Sequence, residues 1–123
     1  MHECSVVEQL LKLLTTRATE MNASSVRTVN LVVGELTGYM EESLRFYFKI
    51  LARDTLLAEA DLRVTYVKPK LHCPRCDTLF ERRRYSFDCP ACGSPGNMTK
   101  IGSEFYIDTI EVELNDAAPA PST

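Results

Sequence analysis

Four cysteines carry the strongest chemistry in this sequence. Cys73-Pro74-Arg75-Cys76 is followed, after twelve residues, by Cys89-Pro90-Ala91-Cys92-Gly93. Two thiolates with two residues between them sit on one tight turn, and two such turns facing each other give tetrahedral S₄ coordination, the preference of zinc. Pro74 and Pro90 stiffen the turns, and Gly93 lets the backbone curl past the last ligand. Four protein thiolates leave no open position for water, so the expected role is structural, not catalytic. The rival reading, a pair of redox Cys-x-x-Cys motifs, is disfavoured by the matched second pair and by proline after each leading cysteine. His72, beside Cys73, could exchange in as a ligand, but is read as an exposed side chain.

A second candidate lies at Met1-His2-Glu3. A deprotonated α-amine and an imidazole are nitrogen donors. If the backbone amides of His2 and Glu3 also ionise, three donors lie in one plane and the His2 imidazole closes the fourth corner. Such a square plane suits Ni(II) or Cu(II) and not zinc. Taken alone, a histidine at position 2 is more often a solvated side chain.

These residues need a scaffold, and 123 residues with 45% hydrophobic and 25% charged side chains suit a single globular domain carrying a small module. No apolar run reaches the roughly 20 residues of a membrane helix. Glu3, Glu8 and Lys12 interrupt any signal-peptide core, so a cytoplasmic location with reduced thiols is expected. The overall charge of −3 is unevenly spread, with the stretch from Lys68 to Gly102 at +4 and the remainder at −7. A basic patch on an acidic body implies two faces with different partners.

The spacing of Cys4, Val7, Leu11, Leu14, Ala18 and Met21 predicts a first helix, with Ser5 and Glu8 as a capping box and Asn22 to Ser25 as its break. As the first member of that stripe, Cys4 is expected to pack as a small hydrophobe, and a thiolate next to the amino-terminal site is the alternative. Val26 to Glu35 alternates as a strand, and Gly34 and Gly38 frame a turn. A second helix follows, with Glu41 and Glu42 at its positive end and a buried stripe of Leu44, Tyr47, Phe48 and Leu51. Phe46 and Ile50 lie off that stripe, so the helix is more apolar than one face requires. Leu62, Val64 and Tyr66 form a second strand that stops at Pro69. A last strand from about Phe105 to Leu114 changes apolar phase near Asp108–Thr109, which suggests a bulge.

The expected fold is therefore α+β: a small sheet of about three strands with two helices, plus an inserted zinc-ribbon-like Cys₄ module. Residues 1–68 and 103–114 form the body, 69–102 the zinc module, and 115–123 a disordered Ala/Pro tail.

Several motifs occur together: Met-His-Glu at the start, Val-Gly-Glu-Leu-Thr-Gly at 33–38 and Glu-Ser-Leu-Arg-Phe at 42–46, then the two Cys-Pro-x-Cys knuckles and Ile-Glu-Val-Glu at 110–113. In this combination the sequence resembles the HypA/HybF family of hydrogenase nickel-incorporation proteins, from residue 1 to about 114. The resemblance implies a nickel metallochaperone for [NiFe]-hydrogenase maturation, not an enzyme. Nickel would bind His2 with the backbone nitrogens of Met1, His2 and Glu3, and zinc would bind Cys73, Cys76, Cys89 and Cys92. The implied partners are the GTPase HypB and the hydrogenase large-subunit precursor, with urease accessory proteins in some bacteria. Cys4 departs from the family, which more often has an aliphatic residue there.

The competing function is a zinc-ribbon module for nucleic acid or protein, using Arg82-Arg83-Arg84. The sequence pI of about 5.4 runs against a dominant nucleic-acid role, and the run is read as a solvated hairpin edge.

Overall fold

The computed structural model describes residues 3–83 and 85–115. Met1, His2, Arg84 and the tail from residue 116 lie outside the described residues.

The first helix, α1 (Glu3–Glu20), forms because Val7, Leu10, Leu11, Leu14 and Ala18 recur at three- and four-residue intervals and are all buried. It is already helical at Glu3, so Ser5 is inside the helix and not its N-cap. Cys4 does not join the stripe. Its thiol is exposed, 4.0 Å from a carboxylate oxygen of Glu8. The centre of the buried stripe passes through Val7 and Leu14, which brings Glu3 onto it one turn before Val7 and leaves Cys4 on the rim. Met21, the other end of the expected stripe, is likewise exposed because the helix has ended there. Asn22 takes a left-handed conformation (φ 59°), which Asn tolerates, and turns the chain directly into a strand.

That strand, β1 (Ala23–Gly34), begins earlier than the alternation suggests and buries Val26, Val29, Leu31 and Val33. A short 3₁₀ turn (Glu35–Thr37) and Gly38 (φ 76°) follow, with the Thr37 hydroxyl donating to the Gly34 carbonyl at 2.8 Å. Helix α2 (Glu41–Leu51) buries Leu44 and Phe48 and packs on α1. Tyr47 and Leu51 of the expected stripe are half-buried, whereas Ile50 is exposed and Phe46, 60% exposed, meets Tyr47 edge-to-face. A turn that buries Ala52 and Leu57 leads to β2 (Asp61–Val67).

Three short strands come next: β3 (Lys70–His72), β4 (Leu79–Glu81) and β5 (Asn97–Met98). They form their own antiparallel sheet in the order β4-β3-β5, with Leu71 opposite both Phe80 and Met98. The last strand, β6 (Phe105–Leu114), then returns to the first sheet, whose order is β2-β1-β6. Within β6 the better-covered residues are Phe105 and Ile107, then Ile110 and Val112, so the buried side changes phase where the sequence pattern does. The fold is thus α+β, with two helices, a three-stranded sheet and a second small sheet that bears the cysteines.

By internal packing the chain divides into two compact units. One comprises Met1–Leu31, Tyr39–Val64 and Ile107–Thr123, and its described part contains both helices. The other comprises Val32–Gly38 and Thr65–Tyr106. It is broader than the span 69–102 marked out by the cysteines. In it, the Gly34 amide donates to the Glu104 carbonyl at 2.6 Å and the Leu36 amide to the Gly102 carbonyl at 2.8 Å. A Cβ on Gly34 would lie 1.9 Å from the Gly102 oxygen, so only glycine permits this approach.

Candidate metal centre

Each cysteine pair is held by the same backbone scheme. The Cys73 amide donates to the Thr78 carbonyl at 2.9 Å, and the Asp77 amide donates back to the Cys73 carbonyl at 2.8 Å. Sixteen residues on, the Cys89 amide donates to Ser94 and the Gly93 amide to Cys89, both at 2.8 Å. The fifth residue of each knuckle is left-handed: Asp77 at φ 64° and Gly93 at φ 79°. One member of each pair is buried (Cys73, Cys89) and the other exposed (Cys76, Cys92). The buried two pack with Leu71 and Phe80 in a small apolar cluster. Among the described residues that cluster is small, and metal binding would add folding energy to it.

The structure brings the four predicted ligands together. Their sulfurs all lie within 4.8 Å of one another, with Cys73 and Cys92 at 3.4 Å and Cys76 and Cys89 at 3.6 Å. A tetrahedron with Zn–S bonds of about 2.3 Å has edges of about 3.8 Å, so the cage already has the size of a zinc site. It could hold a zinc ion without rearrangement of the backbone.

Hydrogen bonds to the sulfurs prepare them for a cation. The backbone N–H and hydroxyl of Ser94, with the Cys73 thiol, bring Cys92 down to about 6. The Thr78 hydroxyl, 3.1 Å from its sulfur, and the Cys89 thiol also lower Cys76. At Cys73 the Cys76 backbone N–H favours the thiolate, but burial and the neighbouring thiols outweigh it and push the group up to about 11. The cage therefore distributes charge unequally until a metal arrives. Thr78 and Ser94 were missed in the sequence, although each stands two residues after the second cysteine of its knuckle.

His72 is not a member of the set. Its Nε2 lies 2.5 Å from Asp77 Oδ1, at the end of β3. In the basic run, the Arg82 guanidinium stacks 4.4 Å above the Phe87 ring, so this arginine is more than a solvated edge. Arg83 bridges Ser86 across a tight turn through Tyr85, while Arg84 lies outside the described residues.

The amino-terminal site cannot be placed in the same way, since Met1 and His2 lie outside the described residues. Glu3 is described, and its side chain has a structural partner: one carboxylate oxygen accepts a hydrogen bond from the Met40 amide at 3.3 Å, at the start of α2. As a residue Glu3 is buried, a placement that apolar periodicity does not signal.

Fold and site together define a small α+β protein bearing a four-cysteine cluster that could hold a zinc ion. A family profile described as "Hydrogenase/urease nickel incorporation, metallochaperone, hypA" matches residues 1–112. The hydrogenase maturation factor HypA of Caldanaerobacter subterraneus subsp. tengcongensis is 42% identical over 114 residues, covering 92% of this chain and all of the relative. That of Aquifex aeolicus is 31% identical over 94% of this chain and all of its own length. Among solved structures, that of the Ni metallochaperone HypA from Helicobacter pylori shares the fold, with a TM-score of 0.64 and 24% identity over 94% of this chain and 100% of that one. A second HypA solution structure has a TM-score of 0.70 over 94% of this chain and 98% of its own. The chain belongs to the HypA family of hydrogenase maturation metallochaperones.

Proposed function

We propose that this protein captures Ni(II) at its own amino terminus and hands it on during [NiFe]-hydrogenase maturation. The nickel plane consists of the α-amine of Met1, the backbone nitrogens of His2 and Glu3, and the His2 imidazole. The observation that carries the reading is the family match beginning at residue 1, and so including Met1-His2-Glu3. The metal centre supports it by exclusion of roles: four thiolates saturate a zinc ion, so Cys73, Cys76, Cys89 and Cys92 hold a structural metal and the cargo binds elsewhere. Nitrogen donors in a square plane select nickel over zinc, which keeps the two metals in separate sites.

The protein acts by binding and release, without covalent chemistry and without being an enzyme. The chain works in the cytoplasm, beside the GTPase HypB and the hydrogenase large-subunit precursor, and urease is a second destination. No helix among the described residues is long and apolar enough to cross a membrane.

Calorimetric nickel titration of the zinc-loaded protein tests the site. A short tag before Met1 turns the amine into an amide while leaving His2 in place, and should abolish tight nickel binding, as should His2→Ala. Zinc content stays unchanged in both. Undiminished nickel affinity in the tagged protein would overturn the amino-terminal site.

A further inference from the structure

The second unit contains an apolar hollow of about 190 Å³ that metal binding does not use. Leu71, at the centre of the small sheet, lines it together with Pro69, Leu36, Phe87 and Met98, and Arg82 is its single charged member among the described residues. Three of these side chains are held out in water: Leu36 and Phe87 are each 45% exposed and Met98 58%. A unit with so small a core gains nothing by leaving large apolar groups around an open hollow, unless something covers them.

The charge around the hollow selects the occupant. Arg82 stacks on Phe87 at 4.4 Å, and a guanidinium lying on a ring keeps its N–H fork for a carboxylate. Lys68 and Lys70 flank Pro69 in the chain, Arg83 follows Arg82, and the stretch from Lys68 to Gly102 has a net charge of +4. We propose that this hollow docks a partner polypeptide segment in which one large apolar side chain is flanked by carboxylates. The apolar side chain fills the hollow against Leu71 and Met98, and the carboxylates pair with Arg82 and the lysines. Single-stranded nucleic acid fits less well, because base stacking needs an open aromatic face and Arg82 covers one face of Phe87.

A random heptapeptide library displayed on phage, selected on the immobilised zinc-loaded protein, tests the proposal. The selected peptides should combine a Leu, Ile, Phe or Met with Asp or Glu within two residues. In fluorescence anisotropy, Met98→Glu and Leu36→Glu should each weaken the best peptide at least about tenfold while zinc content is retained. Arg82→Ala should weaken it by less and remove much of its salt dependence. Selected peptides lacking acidic residues would overturn the assignment, as would affinity untouched by both glutamate variants. Displacement of the peptide by an equimolar single-stranded oligonucleotide would overturn it in favour of nucleic acid.

Discussion

Asp77 and Gly93 occupy equivalent places in the two cysteine knuckles, each in a left-handed conformation and each donating its amide to the knuckle's first cysteine at 2.8 Å. The second knuckle uses glycine, which adopts positive φ freely, and the first uses aspartate, which tolerates it. No neighbouring atom lies within 4 Å of a Cβ built on Gly93, so a substitution there meets backbone strain alone. Gly93→Asp, copying Asp77, should cost less than about 1 kcal/mol, whereas the β-branched Gly93→Val should cost about 1–3 kcal/mol. Zinc retention against a chelator measures both. Equal retention would show that the left-handed turn does not constrain the knuckle.

Zinc affinity should fall as the solution is acidified, because the metal binds thiolates and protons compete for them. With Cys73 pushed up to about 11, its proton must leave on binding at neutral pH, whereas Cys92, at about 6, is already mostly ionised there. Falling pH should therefore weaken zinc by at least about tenfold per unit, and more steeply once Cys92 also protonates below its value. Competitive titrations between about pH 5 and about pH 8 would reveal this change of slope. A pH-independent affinity would contradict the assignment of thiolates as the ligands.

Loss of zinc should loosen the second unit and spare the helices. Cys89→Ala removes a buried ligand from the Leu71–Cys73–Phe80–Cys89 cluster. Helices α1 and α2 belong to the other unit, with its own buried residues Val7, Leu14, Val29 and Leu44. The variant should lose zinc and become cleavable between Lys70 and Lys100 while its helical circular dichroism persists. Collapse of the helix signal would show that the two units fold as one.

Glu3 supplies the Met40 amide with an acceptor oxygen that a shorter side chain cannot replace. Glu3→Gln keeps an oxygen for the Met40 amide, 3.3 Å away, and should alter thermal stability and nickel affinity little. Glu3→Ala leaves that amide without its acceptor at the start of α2 and should cost about 1 kcal/mol or more. Thermal melts of the two variants separate these outcomes. Equal destabilisation would show that the charge, not the acceptor, is what the site requires.

Substituting Arg82, Arg83 and Arg84 together by serine should leave zinc stoichiometry and nickel titration unchanged, since a guanidinium has no nitrogen free to coordinate. The stacking of Arg82 on Phe87 would be lost, at about 0.5–1 kcal/mol for an exposed pair. Metal loss from a still-folded variant would refute the separation of the basic run from the metal sites.

The sequence by itself determined the four-cysteine cluster, because two Cys-Pro-x-Cys turns bring their own local geometry and need only to meet. It also determined the two helices, the long strands and the phase change of β6, all consequences of apolar periodicity against the pitch of helix or strand. Tertiary structure decided what periodicity does not encode. Cys4 fits the helical repeat yet is exposed, while Glu3, a charged residue, takes the buried place because the Met40 amide at the start of α2 lies within its reach. The hollow lined by Leu36, Leu71 and Met98 likewise depends on which segments meet. Periodicity records which face of an element avoids water, whereas a partner for a polar group or an open hollow exists only once distant segments have packed.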